Sequence, residues 1–167
     1  MNNEWKYIID KDNKNRFLLG QIKDITKDTI LWFGINPSTA TPDKLDNTIK
    51  KIIKISKNNN YDNWLVANIY PKRATNPDLL DENVNKELHL YNLEVIKRVL
   101  EEYKNITIVF AYGNIITIRD YLSICLNDIK NLINQYNIDI KIIDYTKQGN
   151  PKHPLYVKDD VVLKSIK

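Results

Sequence analysis

Ile30-Leu-Trp-Phe-Gly-Ile-Asn-Pro-Ser38 is the stretch on which the reading of the chain turns. Its apolar residues are continuous rather than alternating, which suits a strand buried on both faces. The run stops in Gly34, Asn36, Pro37 and Ser38, so the strand delivers polar groups to one rim of a sheet. Three later apolar segments end similarly: Leu65-Val-Ala67 in Asn68, Ile106 to Ala111 in Tyr112-Gly113-Asn114, and Ile138 to Ile143 in a polar loop that reaches His153. In open parallel sheets ligands bind in the crevice beyond the carboxyl ends of the strands, so a site is sought there.

Outward from Ile30 to Phe33, the elements alternate. Leu45 to Lys57 reads as a helix, with Ile49, Ile52, Ile53 and Ser56 inward and Lys50, Lys51, Lys54 and Lys57 in water. Asp43 or Asp46 would cap it. Trp64 to Tyr70 is the next strand, and a loop rich in Pro and Asn leads to a helix from about Val84 to Tyr103. Ile106 to Ala111 is a third strand; Ile118, Leu122, Cys125, Ile129, Leu132 and Tyr136 mark another helix, and Ile138 to Ile143 is a fourth strand. Upstream, Trp5 to Ile9 and Arg16 to Ile22 flank the polar turn Asp10 to Asn15 as a hairpin. The expected fold is a three-layer α/β/α sandwich around a central, mainly parallel four-strand sheet, with the hairpin of residues 1–25 on its edge.

At 167 residues the chain suits one domain over 1–167, since ~150 residues bury roughly 70% of their unfolded surface. No apolar run approaches the ~18 residues of a membrane span, and Met1-Asn-Asn-Glu-Trp5 lacks a secretory layout. The expectation is a soluble, cytoplasmic protein with no membrane partner. Cys125 is the only cysteine, which excludes an internal disulfide and thiolate metal clusters. With 25 Lys and Arg against 21 Asp and Glu, the net charge of +4 favours anionic partners only weakly.

The carboxamides come first among candidate site residues. At a strand end, Asn36 can donate to and accept from a bound water, and Asn68 offers a donor and an acceptor side by side, matching a nucleobase edge. Turn-making is the competing role for Asn36, Pro37 and Ser38. Arg73, after Lys72, carries a planar fork suited to phosphate or carboxylate, and the Thr75-Asn-Pro77 turn would hold it in place. His153 lies between Pro151 and Pro154, stiffened for hydrogen bonding or proton transfer, with Lys147 and Lys152 nearby. The other histidine, His89, reads as a surface or half-buried helix residue. Two distant histidines make no zinc spacing, and Gly34 alone makes no phosphate-cradling loop. No metal and no cofactor is expected. A serine nucleophile at Ser38 with His153, where Asp46 would act as a base or orient His153, lacks the G-x-S-x-G elbow.

Asn36-Pro-Ser-Thr-Ala40, Asp46-Asn-Thr-Ile49, Asn68 through Arg73-Ala-Thr75 with Pro77, Tyr112-Gly113, Thr146-Lys147 with Gly149 and Pro151, and His153-Pro-Leu-Tyr156 together resemble the bacterial and phage proteins grouped as domain of unknown function 1643. Tyr112 stands where that family usually shows Trp, and Asn47-Thr48 replaces a more common Asp-Pro-Thr. More distantly, the order of motifs is similar to that of the uracil-DNA glycosylase superfamily. Gly34-Ile-Asn-Pro37 looks like its water-positioning motif, Asn68 like its base-reading Asn, Tyr112-Gly113 like its Trp-Gly strand end and His153-Pro like its His-Pro-Ser.

That second resemblance implies an N-glycosylase-like hydrolase acting on nucleic acid or a nucleotide. Asn36, Asp46 and His153 would be catalytic, and Ser38, Asn68, Arg73, Tyr112, Asn114, Lys147 and Lys152 would bind substrate. The alternative expectation is a nucleotide or nucleic-acid binding protein that uses the same pocket without catalysis.

Overall fold

The computed structural model describes residues 4–166; positions 1–3 of the predicted hairpin segment, and Lys167, lie outside them. The elements in chain order are β1 (Glu4–Ile9), β2 (Arg16–Ile22), β3 (Thr29–Gly34), α1 (Asn47–Asn58), β4 (Asn63–Asn68), α2 (Lys86–Glu102), β5 (Ile106–Phe110), α3 (Asp120–Ile133), β6 (Asp139–Ile142) and β7 (Lys164–Ser165). They form one sheet in the order β1-β2-β4-β3-β5-β6-β7. The middle pairings β4-β3, β3-β5 and β5-β6 are parallel; β1-β2, β2-β4 and β6-β7 are antiparallel.

The expectation of a four-strand, mainly parallel sheet is therefore corrected to a mixed sheet of seven strands. The hairpin continues the ladder, because β2 pairs with β4 from Leu19 opposite Val66 to Gln21 opposite Trp64. Antiparallel pairing of segments some forty residues apart leaves no periodicity to read, and β7 is only two residues long. The helices start and stop within a few residues of their sequence signals. Asp46 caps α1, its carboxylate accepting from Ile49 N–H, and Asn85 caps α2 through Leu88 N–H. No helix among the described residues is long and apolar enough to cross a membrane.

Continuous hydrophobicity in β3 is used on both faces. Ile30 and Trp32 pack towards α1 with Trp64, Val66, Ile49, Ile52 and Ile55. Leu31 and Phe33 pack on the other side with Leu65, Ala67, Ile108, Phe110 and the buried residues of α2 and α3. Ile55 rather than Ile53 takes the buried position on α1, and Ser56 accepts a hydrogen bond from the Trp32 indole at 3.0 Å. His89 is buried rather than at the surface, its Nε2 meeting Asp128 on α3 at 2.9 Å. Cys125 is buried, and desolvation pushes its thiol up to about 12, far from a reactive thiolate.

Gly20 marks the tightest join. A Cβ there would lie 2.3 Å from Trp64 O and 2.8 Å from Leu65 Cα, so the backbone of β4 would have to move. Gly20→Ala is expected to cost about 3 kcal/mol, at the upper end of overpacking penalties, and to lower the urea midpoint correspondingly. An unchanged midpoint would show that β2 and β4 do not approach this closely.

Candidate active site

The three central parallel strands stop in register. Gly34 at the end of β3 stands beside Asn68 at the end of β4, and Phe33 beside Phe110 on β5. Backbone bonding runs on past them: Ile69 N–H donates to Gly34 O, Tyr70 N–H to Ile35 O and Ala74 N–H to Pro37 O, each at 2.9 Å. This continued ladder carries the 34–38 and 69–74 segments outward as two walls. Between them, at the sheet's rim, lies a cavity of about 160 Å³ lined by Arg16, Asn36, Ser38, Asp46, Asn68, Tyr112 and His153, among others. Side chains from β2, from the ends of β3, β4 and β5, from the cap of α1 and from the C-terminal loop thus share one space.

Asn68 is 4% exposed, and its Oδ1 is buried without a hydrogen-bond partner. Its amide nitrogen lies over Gly34, where a Cβ would come within 3.1 Å; the absent side chain at 34 makes the space for the carboxamide at 68. Asn92, wholly buried on α2, steadies the same strand end by donating to Asn68 O at 2.9 Å. An unsatisfied buried oxygen costs roughly 1–3 kcal/mol, so a ligand donor facing it recovers that loss.

Asn36 is oriented by its surroundings. Its amide donates to Pro37 O at 3.1 Å and Ala74 O at 2.9 Å, which commits the NH₂ and turns Oδ1 into the acceptor available for other groups. One oxygen of Asp46 caps α1 at 2.9 Å, while the side chain as a whole lines the cavity.

His153 is set by its loop. Gly113, at φ +62, donates to Pro151 O at 2.8 Å, and Lys152 N–H donates to Asp144 O at 2.8 Å. A short 3₁₀ turn, Pro154–Tyr156, packs against α1 and receives its cap from the imidazole, Nδ1 accepting from Leu155 N–H at 3.2 Å. With Nδ1 an acceptor, the proton of the neutral ring sits on Nε2. Burial holds its pKa below the ordinary 6.5, and the negative charge of Asp46 only partly opposes this. The site therefore holds a neutral imidazole N–H donor near a carboxylate.

The remaining predicted residues divide. Tyr112 and Ser38 line the central cavity. Asn114 and Lys152 line a neighbouring one of about 420 Å³ beyond Tyr112 and His153. Asn114 Oδ1 accepts from Thr146 Oγ1 at 2.7 Å and Asn150 Nδ2 at 3.1 Å, tying the 146–150 turn, and Lys152 faces Asp144 at 3.5 Å. Arg73 lies in a third recess with Asn13, Ser38, Thr39 and Thr75. Its guanidinium is engaged by the protein, donating to Ser38 O at 2.5 Å, Tyr7 Oη at 2.8 Å and Asn13 Oδ1 at 3.0 Å. Lys147 is exposed and borders none of the three recesses.

Sequence reading passed over Arg16 and Asn92. Arg16 opens an otherwise apolar strand, and Asn92 interrupts the inward stripe of α2 between His89 and Val95. A polar residue in an apolar stripe was the available signal in both.

The fold and this cavity define an α/β protein with a polar pocket at the carboxyl ends of parallel strands. The family model described as "Protein of unknown function (DUF1643)" matches residues 16–155, and the chain belongs to that family. The matched span begins at Arg16 and takes in every residue lining the central cavity. No curated protein and no solved structure matches the chain.

Proposed function

We propose that the protein recognises a single six-membered nucleobase ring in the strand-end cavity and hydrolyses its bond to the sugar. The observation that carries this reading is Asn68, which lines a cavity of about 160 Å³ and whose buried carboxamide oxygen has no hydrogen-bond partner. A protein cavity of about 150 Å³ takes one benzene ring, so the space suits a pyrimidine rather than a whole nucleoside. Asn68 reads the ring's polar edge, with Oδ1 accepting from a ring N–H or amino group and the amide N–H₂ donating to a carbonyl.

Cleavage breaks the C1′–N bond, and its electron pair leaves with the base, giving an oxocarbenium-like sugar and an anionic ring. His153, as a neutral Nε2–H donor, stabilises that anion without first protonating it. Asn36 Oδ1 accepts a hydrogen bond from the attacking water. The cavity-facing Asp46 carboxylate takes the water's proton as the oxygen joins C1′, and the proton passes through solvent to the departed base.

Incubation of the full chain with single-stranded and duplex DNA carrying modified pyrimidines, and with free nucleosides and nucleotides, followed by chromatography of released base, tests the proposal. Release that disappears in Asp46→Asn is the expected result. Saturable binding with no released base from any substrate would overturn hydrolysis and leave a binding protein.

A further inference from the structure

Arg16 is 2% exposed, yet no carboxylate lies within ion-pairing distance of it among the described residues. Its protein hydrogen bond is one contact from Nη1 to Ala40 O at 3.2 Å, and Nε is buried without a partner. A buried charge left unpaired is among the more costly features a fold can carry. This one lines the cavity.

Its surroundings add positive charge. Desolvation, joined by repulsion from the Arg73 charge, brings the Arg16 pKa down to about 10, opposed by Asp46 and Tyr7. Arg16 and Asp46 line the pocket and Arg73 the adjoining recess, so the three side chains carry one net positive charge across the two spaces. The two guanidiniums play different parts. Arg73 spends its donors on the loops that frame the site, whereas Arg16 retains a buried, unengaged Nε. Ser38, Ala74 and Thr75 border both the central cavity and the Arg73 recess, so the two spaces adjoin.

We propose that Arg16 is the anion-binding residue of this pocket, its guanidinium taking an oxyanion, phosphate or carboxylate, carried by the same small molecule whose ring faces Asn68. The oxyanion supplies the direct ion-pairing partner that no carboxylate provides, meeting the guanidinium where Arg16 lines the cavity. Arginine suits this use because its planar fork binds two oxygens at once. The anion site stands on the burial and charge of Arg16. Its pairing with a ring rests on the proposed function above.

Calorimetric titration of the full chain with uridine, uridine 5′-monophosphate, orotate and inorganic phosphate tests it. A charge-assisted pair in such a site is worth roughly a ten- to hundredfold in affinity. At least one anionic ring compound should bind tighter than uridine by that factor, phosphate leading if the source is a phosphoryl group and orotate leading if it is a carboxylate on the ring. Arg16→Lys should lose most of the preference and Arg16→Gln all of it, the preference being read as the ratio of affinities within each protein. Equal affinity of the wild-type chain for uridine and both anionic compounds overturns the proposal whether or not the variants fold, as does a preference that survives Arg16→Gln. Inorganic phosphate binding that is lost in Arg16→Lys, with no affinity for any ring, would keep the anion site and sink the base-recognition reading instead.

Discussion

Asn68→Ala is expected to reduce base release a hundredfold or more, the scale of losing one preorganised donor or acceptor at about 3 kcal/mol, while leaving the protein as stable as before or more so. The second half makes the prediction sharp. A buried polar side chain that holds the fold together costs stability when removed; one held for a ligand gives stability back, because an unsatisfied oxygen leaves the interior. Asn68 makes no side-chain hydrogen bond among those of the described residues, and its Oδ1 has none of the contacts a structural amide needs. Gly34→Ala provides the companion result, since the new Cβ, 3.1 Å from the Asn68 amide nitrogen, displaces the carboxamide without removing it. Urea melts beside the release assay decide the matter. A loss of 2 kcal/mol or more in Asn68→Ala would mark the residue as part of the scaffold.

His153→Ala should bring a comparable loss of turnover, and its pH dependence separates an electrophilic imidazole from a general acid. Burial holds the folded pKa below 6.5, so the ring is neutral at pH 7 and the wild-type rate should be flat through neutrality, falling only as the pH drops below the ordinary histidine range. A general acid would show the opposite slope, gaining as the pH falls towards its pKa. Stability follows the same linkage. The unfolded chain takes up this proton at 6.5 and the folded chain only at lower pH, so the unfolded state binds more protons in between and stability declines as the pH falls from 6.5 to the folded value. His153→Ala removes that part of the decline. Urea midpoints at pH 7.5 and 5 for both proteins should therefore differ less in the variant, and equal differences would show that the imidazole is not held neutral by the fold.

The central strands and the three helices were legible because each carries its own local signal. β3 is continuous apolar sequence ended by Gly and Pro, α2 and α3 repeat at helical spacing, and Asp46 stands where a cap belongs. Asn36, Asn68, Tyr112 and His153 could be picked out for the same reason, as polar or aromatic residues at the ends of buried runs. The part played by Arg73 was not legible. Its fork looks free in sequence, but Tyr7, Asn13 and Ser38 reach it from elements distant in the chain. Arg16 was missed in the opposite sense, since an arginine at the head of a strand usually leaves its charge in water.

Local sequence determined which segments become strands and helices, where they end, and that four of those ends are polar, because periodicity, caps and turn residues act over a few neighbouring positions. Tertiary structure alone decided that the N-terminal hairpin joins the sheet beside β4, that Arg16 is thereby buried at the wall of the pocket, and that Arg73 is consumed in framing it. Those outcomes depend on burial and on hydrogen bonds between residues tens of positions apart, and desolvation, which turns a surface guanidinium into a buried charge seeking an anion, has no existence until the chain has closed around it.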